Sequence, residues 1–204
     1  MSRPPLARVA GPILLAAGAL LLIQQSLMVS FLDRSAIEAT IANAFFVPLA
    51  VAYFAAFCGL LLALVAAYSW EANEAGAFGV LAFLTALVGT MFLGGDLWFE
   101  AFAVPWLGDV APASLHLAGG TLMIGAFTSY VLFAVGWGLF GLASIRARVF
   151  PLPISISIVV GGIVGFQAGL PPFAMPLALT IGGLGIWMTR ATVVASLAPS
   201  SAPG

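Results

Sequence analysis

Lysine is absent from this 204-residue chain, histidine and cysteine each occur once, and only 6% of the residues are charged. An ordinary soluble domain carries about 25% charged residues, so a water-soluble globular protein is excluded. Six basic residues, all Arg, nearly cancel seven acidic ones for a formal net charge of −1. No basic run exists, so nucleic-acid binding has no electrostatic footprint. The lack of Lys rules out a retinal Schiff base, and a single His cannot supply both axial imidazoles of a haem. No intrachain disulfide or thiol relay can be built from Cys58 alone. It sits in an apolar run and reads as a buried structural thiol. An all-Arg basic complement amid abundant Ala, Gly, Leu and Val reads as GC-rich coding, hence a bacterial source.

What is present is hydrophobic: 63% of the residues, at a mean hydropathy of +1.19. Disorder needs the opposite composition. A bilayer is the solvent that suits this chain, and a spanning helix needs roughly 20 mainly apolar residues. Six segments qualify, near 9–29, 44–68, 77–95, 117–143, 154–170 and 173–193, with 194–204 as a flexible tail. The expectation is one all-α transmembrane bundle of about six spanning helices. The first segment runs on past the length of a signal-peptide core, which favours a retained signal anchor over cleavage near Ala39. The fifth and sixth segments are short and joined by Leu170-Pro171-Pro172; two spans with the prolines as the turn are favoured over a re-entrant hairpin. Three Phe-containing pieces around Pro48, Pro105 and Pro176 resemble one another, but their unequal spacing argues against a tandem repeat.

Orientation follows from arginine in short loops. With the N-terminus inside, Arg3, Arg8, Arg146, Arg148 and Arg190 are cytoplasmic and Arg34 alone is outside. Both termini are then cytoplasmic, in a bacterial inner membrane. Asp33, Glu38, Asp96, Glu100 and Asp109 fall outside, while Glu71 and Glu74 occupy a cytoplasmic loop without Arg.

An intramembrane charge is a functional hypothesis by default. The nearest candidates are Asp96 and Glu100, which share one face if the third helix continues past them. Two such carboxylates can bind a cation or share a proton. His116 could complete a divalent-metal set with them, though no spacing requires it. The bland reading is an interface where Trp98 and Trp106 form an aromatic belt and the carboxylates are solvated. Gly94-Gly95-Asp96 lacks the first Gly of the intramembrane aspartyl-protease motif, and Ser129, Ser155 and Ser157 lack the context of a rhomboid-type nucleophile. Neither a catalytic residue nor a cofactor is assigned. Gln24, Gln25, Asn43 and Gln167 must each find a partner or reach the interface.

Ser157, Gly161, Gly165 and Gly169 recur every four residues, the small-xxx-small pattern, or glycine zipper, that lets another backbone approach. Leu139-Phe140-Gly141, Arg146-Ala147-Arg148-Val149-Phe150-Pro151 and Gly161-Gly162-Ile163-Val164-Gly165-Phe166 form an apolar helix, an Arg loop closed by Pro, and a Gly-rich helix. This run resembles the C-terminal half of uncharacterised multi-pass bacterial membrane proteins known as domains of unknown function. The resemblance implies a hydrophobic helix bundle and transfers no catalytic residue. Three function classes follow in order. First is a non-enzymatic subunit or scaffold acting through helix contacts, partnered by lipid and by a second copy or another membrane protein. Second is a small-solute or ion permease using the Asp96/Glu100 pair, and last is an enzyme.

Overall fold

The computed structural model describes residues 5–34, 36–116 and 119–197. Among them the regular structure is entirely helical: α1 (Pro5–Phe31), α2 (Ile37–Ala42), α3 (Phe46–Trp98), α4 (Val104–Val110), α5 (Gly120–Ala147), α6 (Leu152–Val164) and α7 (Met175–Leu197). Short π and 3-10 segments join them at Phe99–Ala103, Pro112–His116 and Gly165–Gln167. Four stretches are long and apolar enough to cross a membrane: Leu6–Phe31, Phe46–Val110, Gly120–Ala147 and Met175–Val194. The shorter apolar helix Leu152–Gln167 completes the set.

The 53-residue α3 is two legs of the bundle, not one rod. At 1.5 Å per residue, Tyr68 and Phe83 would stand about 22 Å apart on a straight helix. Their rings instead stack with centroids 4.2 Å apart. The reversal is made at Gly76, at φ 59° and ψ −163°, a backbone conformation essentially reserved for glycine. Helical geometry continues right up to that residue. The segment around Glu71 and Glu74, expected as a loop, is therefore helix, because Ser69 to Ala75 contains neither Gly nor Pro to break it.

Legs that follow one another in sequence run antiparallel, as do α1 and α7, whereas the first half of α3 runs parallel to α5, Phe57 meeting Phe133 and, further along both, Glu71 meeting Ser144. Gln24, Gln25 and Ala7 on α1 meet Leu49, Tyr53 and Trp70 on the first half of α3, in reverse order. Gly11 lies against Thr189 and Gly18 against Gly182, which sets α1 on α7. Gly136 packs on Ala86, Gly162 on Gly138, and Gly161 on Leu177. One end of the bundle carries Arg8, Arg146, Arg148 and Arg190, with Trp187 touching both Trp70 and Phe150. The other carries Arg34, Glu100 and Trp98.

The packing is that of a protein solvated by lipid. Leu62, Ile124 and Val194 are among many large apolar side chains more than half exposed, whereas Ala10, Ala56, Ala63, Ala66, Ala82 and Ala86 are fully enclosed. Lipid tails are as apolar as leucine, so helices gain by close backbone approach through small residues. α1 shows it in sequence register: Ala7, Gly11, Leu14, Gly18, Leu21, Gln25 and Met28 alternate steps of four and three and are all buried. Such a 3.5-residue stripe is the seam of a left-handed helix pair. Cys58 falls outside the corresponding face of α3, whose Ala56, Phe57 and Leu60 point inward. It is exposed on the outer surface of the bundle, not buried as expected.

The Pro171-Pro172 turn lies where the prolines predict it, with a cis bond between them. α6 ends at Val164 and tightens into the 3-10 turn before that bend. The four-residue small stripe therefore does not continue as one helical face to Gly169.

Candidate functional site

The polar groups gather at the Arg34 end of the bundle. α3 gives way at Trp98 to five residues of π-helix, in which the Val104 N–H donates to Phe99 O, five residues back. Pro105 supplies the reason: it has no N–H, and its ring crowds the carbonyl four residues earlier, so the turn widens. Asp96 and Glu100 lie on either side of this change. They do not ride one regular helical face as expected, and they line different hollows.

Glu100 accepts a hydrogen bond from the Arg34 guanidinium at 2.7 Å, in an ion pair whose side chains are 22% and 29% exposed. The pair joins residues 66 positions apart in sequence. With Phe46, Thr40 and Ile41 it walls a cavity of about 170 Å³. Asp96 instead faces the Tyr130 hydroxyl of α5 and lines an open groove of about 420 Å³ with Phe92, Phe99, Thr121 and Ser129. Asp96 and Glu100 remain within electrostatic reach of one another. The side chain of His116 lies outside the described residues, and among those described no three His, Cys, Asp or Glu side chains could hold a metal ion.

Beneath this pair a chain of hydrogen bonds ties two legs, α1 and the first half of α3, to the final turn. The Gln24 amide donates to Leu49 O, the Gln25 amide to Tyr53 Oη, and the Tyr53 hydroxyl to Ala168 O. Gln25 Oε1 is enclosed without a partner. Asn43 bridges Phe31 O at 3.0 Å and the Phe45 N–H at 2.9 Å, fixing the turn after α2. Gln167 is exposed at the end of α6.

A second polar line, absent from the sequence reading, descends the α3–α5 interface. Tyr130 faces Asp96, the Trp137 indole N–H donates to Thr90 Oγ1 at 3.0 Å, and Ser144 stands beside Glu71. The three α5 residues are spaced by seven, so they share one face and are about 10 Å apart along the axis. That spacing is visible in the sequence. Their partners are not, since Glu71 and Asp96 sit on opposite legs of the folded α3. Glu71 is fully enclosed, which corrects its placement in a solvated loop.

The small-residue positions are occupied within the chain. A Cβ on Gly161 would meet the Leu177 backbone at 3.0 Å, one on Gly165 the Phe133 ring at 3.1 Å, and one on Gly169 the Tyr130 hydroxyl at 2.6 Å. Ser157 is exposed; its hydroxyl donates to Pro153 O and its carbonyl faces the Thr180 hydroxyl.

In comparisons with known proteins, no family model, curated protein or solved structure matches the chain. The fold places it in the class of all-helical membrane proteins, on the strength of its long apolar helices.

Proposed function

We propose that the protein is a small-solute permease of the bacterial inner membrane, with six spans and both termini cytoplasmic, that binds a small organic cation at Asp96. The observation that carries this is the partition of charge at the Arg34 end. Of the Asp96/Glu100 pair, Arg34 neutralises Glu100 and leaves Asp96 to a ligand, beside the Tyr130 hydroxyl. Phe92 and Phe99 flank it in a groove of about 420 Å³, within the 300–1,000 Å³ typical of small-molecule sites. A carboxylate between aromatic rings matches an ammonium group, which gains from the charge and from the ring faces. The segregation of arginines to the opposite end supports the orientation.

A subunit or scaffold acting through the Ser157, Gly161, Gly165, Gly169 face has less support. Leu177, Phe133 and Tyr130 of the same chain already cover its three glycines.

Purified protein in liposomes, offered ethylammonium and, separately, sodium, tests the reading. Uptake of the organic cation should exceed that of sodium and fall at least tenfold in Asp96→Asn, with expression unchanged. Equal uptake by Asp96→Asn, or none by the unaltered protein, refutes it.

A further inference from the structure

Glu71 is the most unusual side chain in the bundle. It is 0% exposed, and neither carboxyl oxygen receives a hydrogen bond. It stands near the arginine-rich end, yet no arginine among the described residues is paired with it. Arg8 on α1 and Arg190 on α7 are exposed, as is Glu74 on its own helix. Arg146 and Arg148, at the end of α5, line a separate hollow with Phe150 and Leu152.

Beside Glu71 stands the Ser144 hydroxyl of α5, also fully enclosed. A serine hydroxyl has one proton to give, and Ser144 gives it to Phe140 O at 3.0 Å. What Ser144 offers Glu71 is therefore a lone pair. A lone pair repels a carboxylate and accepts from a carboxylic acid. On the facing helix α6, the enclosed hydroxyl of Ser155 is likewise unpartnered. The Ser155 carbonyl lies against Gly141, one turn of α5 from Ser144. On its own helix Glu71 is bracketed by half-buried aromatics: Tyr68 stacks on Phe83, and Trp70 donates to Ala7 O at 2.7 Å and packs on Trp187. An ionised carboxylate, with neither cation nor donor among the described residues, would bear the full cost of leaving water.

We infer that Glu71 is a proton-binding site, held as the neutral carboxylic acid with Ser144 as its acceptor while α3 and α5 are closed. The ligand is the proton itself. Release leaves a carboxylate and hands one proton to water, so it requires the α3–α5 seam at the arginine end to open. Protonation of Glu71 and closure of that seam are then one event. The inference does not depend on the role given to Asp96.

Infrared spectroscopy of the full-length purified protein tests it through the carbonyl stretch of a protonated carboxyl group. At neutral pH the unaltered protein should show this band, shifted in heavy water. Glu71→Gln should lose it, whereas Asp96→Asn and Glu100→Gln should retain a component at the same frequency. Ser144→Ala keeps Glu71 and should move the band to the higher frequency of a carboxyl without an acceptor, which separates proton binding from mere loss of fold. Absence of the band in the unaltered protein, or its survival unchanged in Glu71→Gln, overturns the inference. So does a band unmoved in folded Ser144→Ala.

Discussion

The α1–α7 contact gives a sharp test of packing, because two glycines at one level of the seam face in different directions. A Cβ added to Gly18 would lie 2.5 Å from Gly182 N, 2.7 Å from Ala178 O and 2.8 Å from Gly182 Cα, all of them backbone. A Cβ added to Gly182 would meet nothing within 4 Å. No side-chain rotation relieves the first case, so α1 and α7 must move apart by roughly 1 Å to restore van der Waals contact. Overpacking of this kind costs about 1 to 3 kcal/mol. Both glycines are helical, so each alanine gains the same helix propensity, and that gain cancels in the comparison. Gly18→Ala should thus be less stable than Gly182→Ala by about 1 to 3 kcal/mol. Reversible denaturation in mixed micelles, followed by circular dichroism, measures the difference. Equal stabilities would refute the interhelical register and with it the close α1–α7 approach.

Two further outcomes follow from single contacts. Trp137 and Thr90 are both fully enclosed and hydrogen-bonded to each other. A double-mutant cycle with Trp137→Phe and Thr90→Val should give a coupling of about 0.6 kcal/mol, the average for interhelical bonds in membranes, and strict additivity would contradict the bond. Gly76→Ala should destabilise by about 1 to 3 kcal/mol through backbone strain, since its added Cβ would meet no atom within 4 Å. Unchanged stability in the same denaturation assay would deny the reversal of α3 at that residue.

The helices were legible because hydropathy is a local sum. The turns at Gly76 and Pro171-Pro172 fall between the expected segments, and the end of α5 at Arg148 falls in the Arg loop. The buried stripe of α1 is written in its 3.5-residue spacing. Side-chain facing was harder to read. Cys58 looked buried because its neighbours are apolar, but in lipid the outward face is apolar too, so composition cannot tell one face from the other. The seven-residue spacing of Tyr130, Trp137 and Ser144 was visible, yet it had no meaning until α3 folded back to supply Asp96, Thr90 and Glu71.

The sequence by itself determined the solvent and the elements: a chain with 6% charge must bury its backbone polar groups within helices, and glycine and proline mark where those helices turn. Only the tertiary structure decided which polar groups meet. Arg34 takes Glu100 from 66 residues away and leaves Asp96 facing Tyr130, while Glu71 is sealed against Ser144 instead of resting in water. The reason is physical. Helix formation is settled within a few residues of chain, but the surroundings of a carboxyl group depend on which distant helices close over it, and no local pattern encodes that choice.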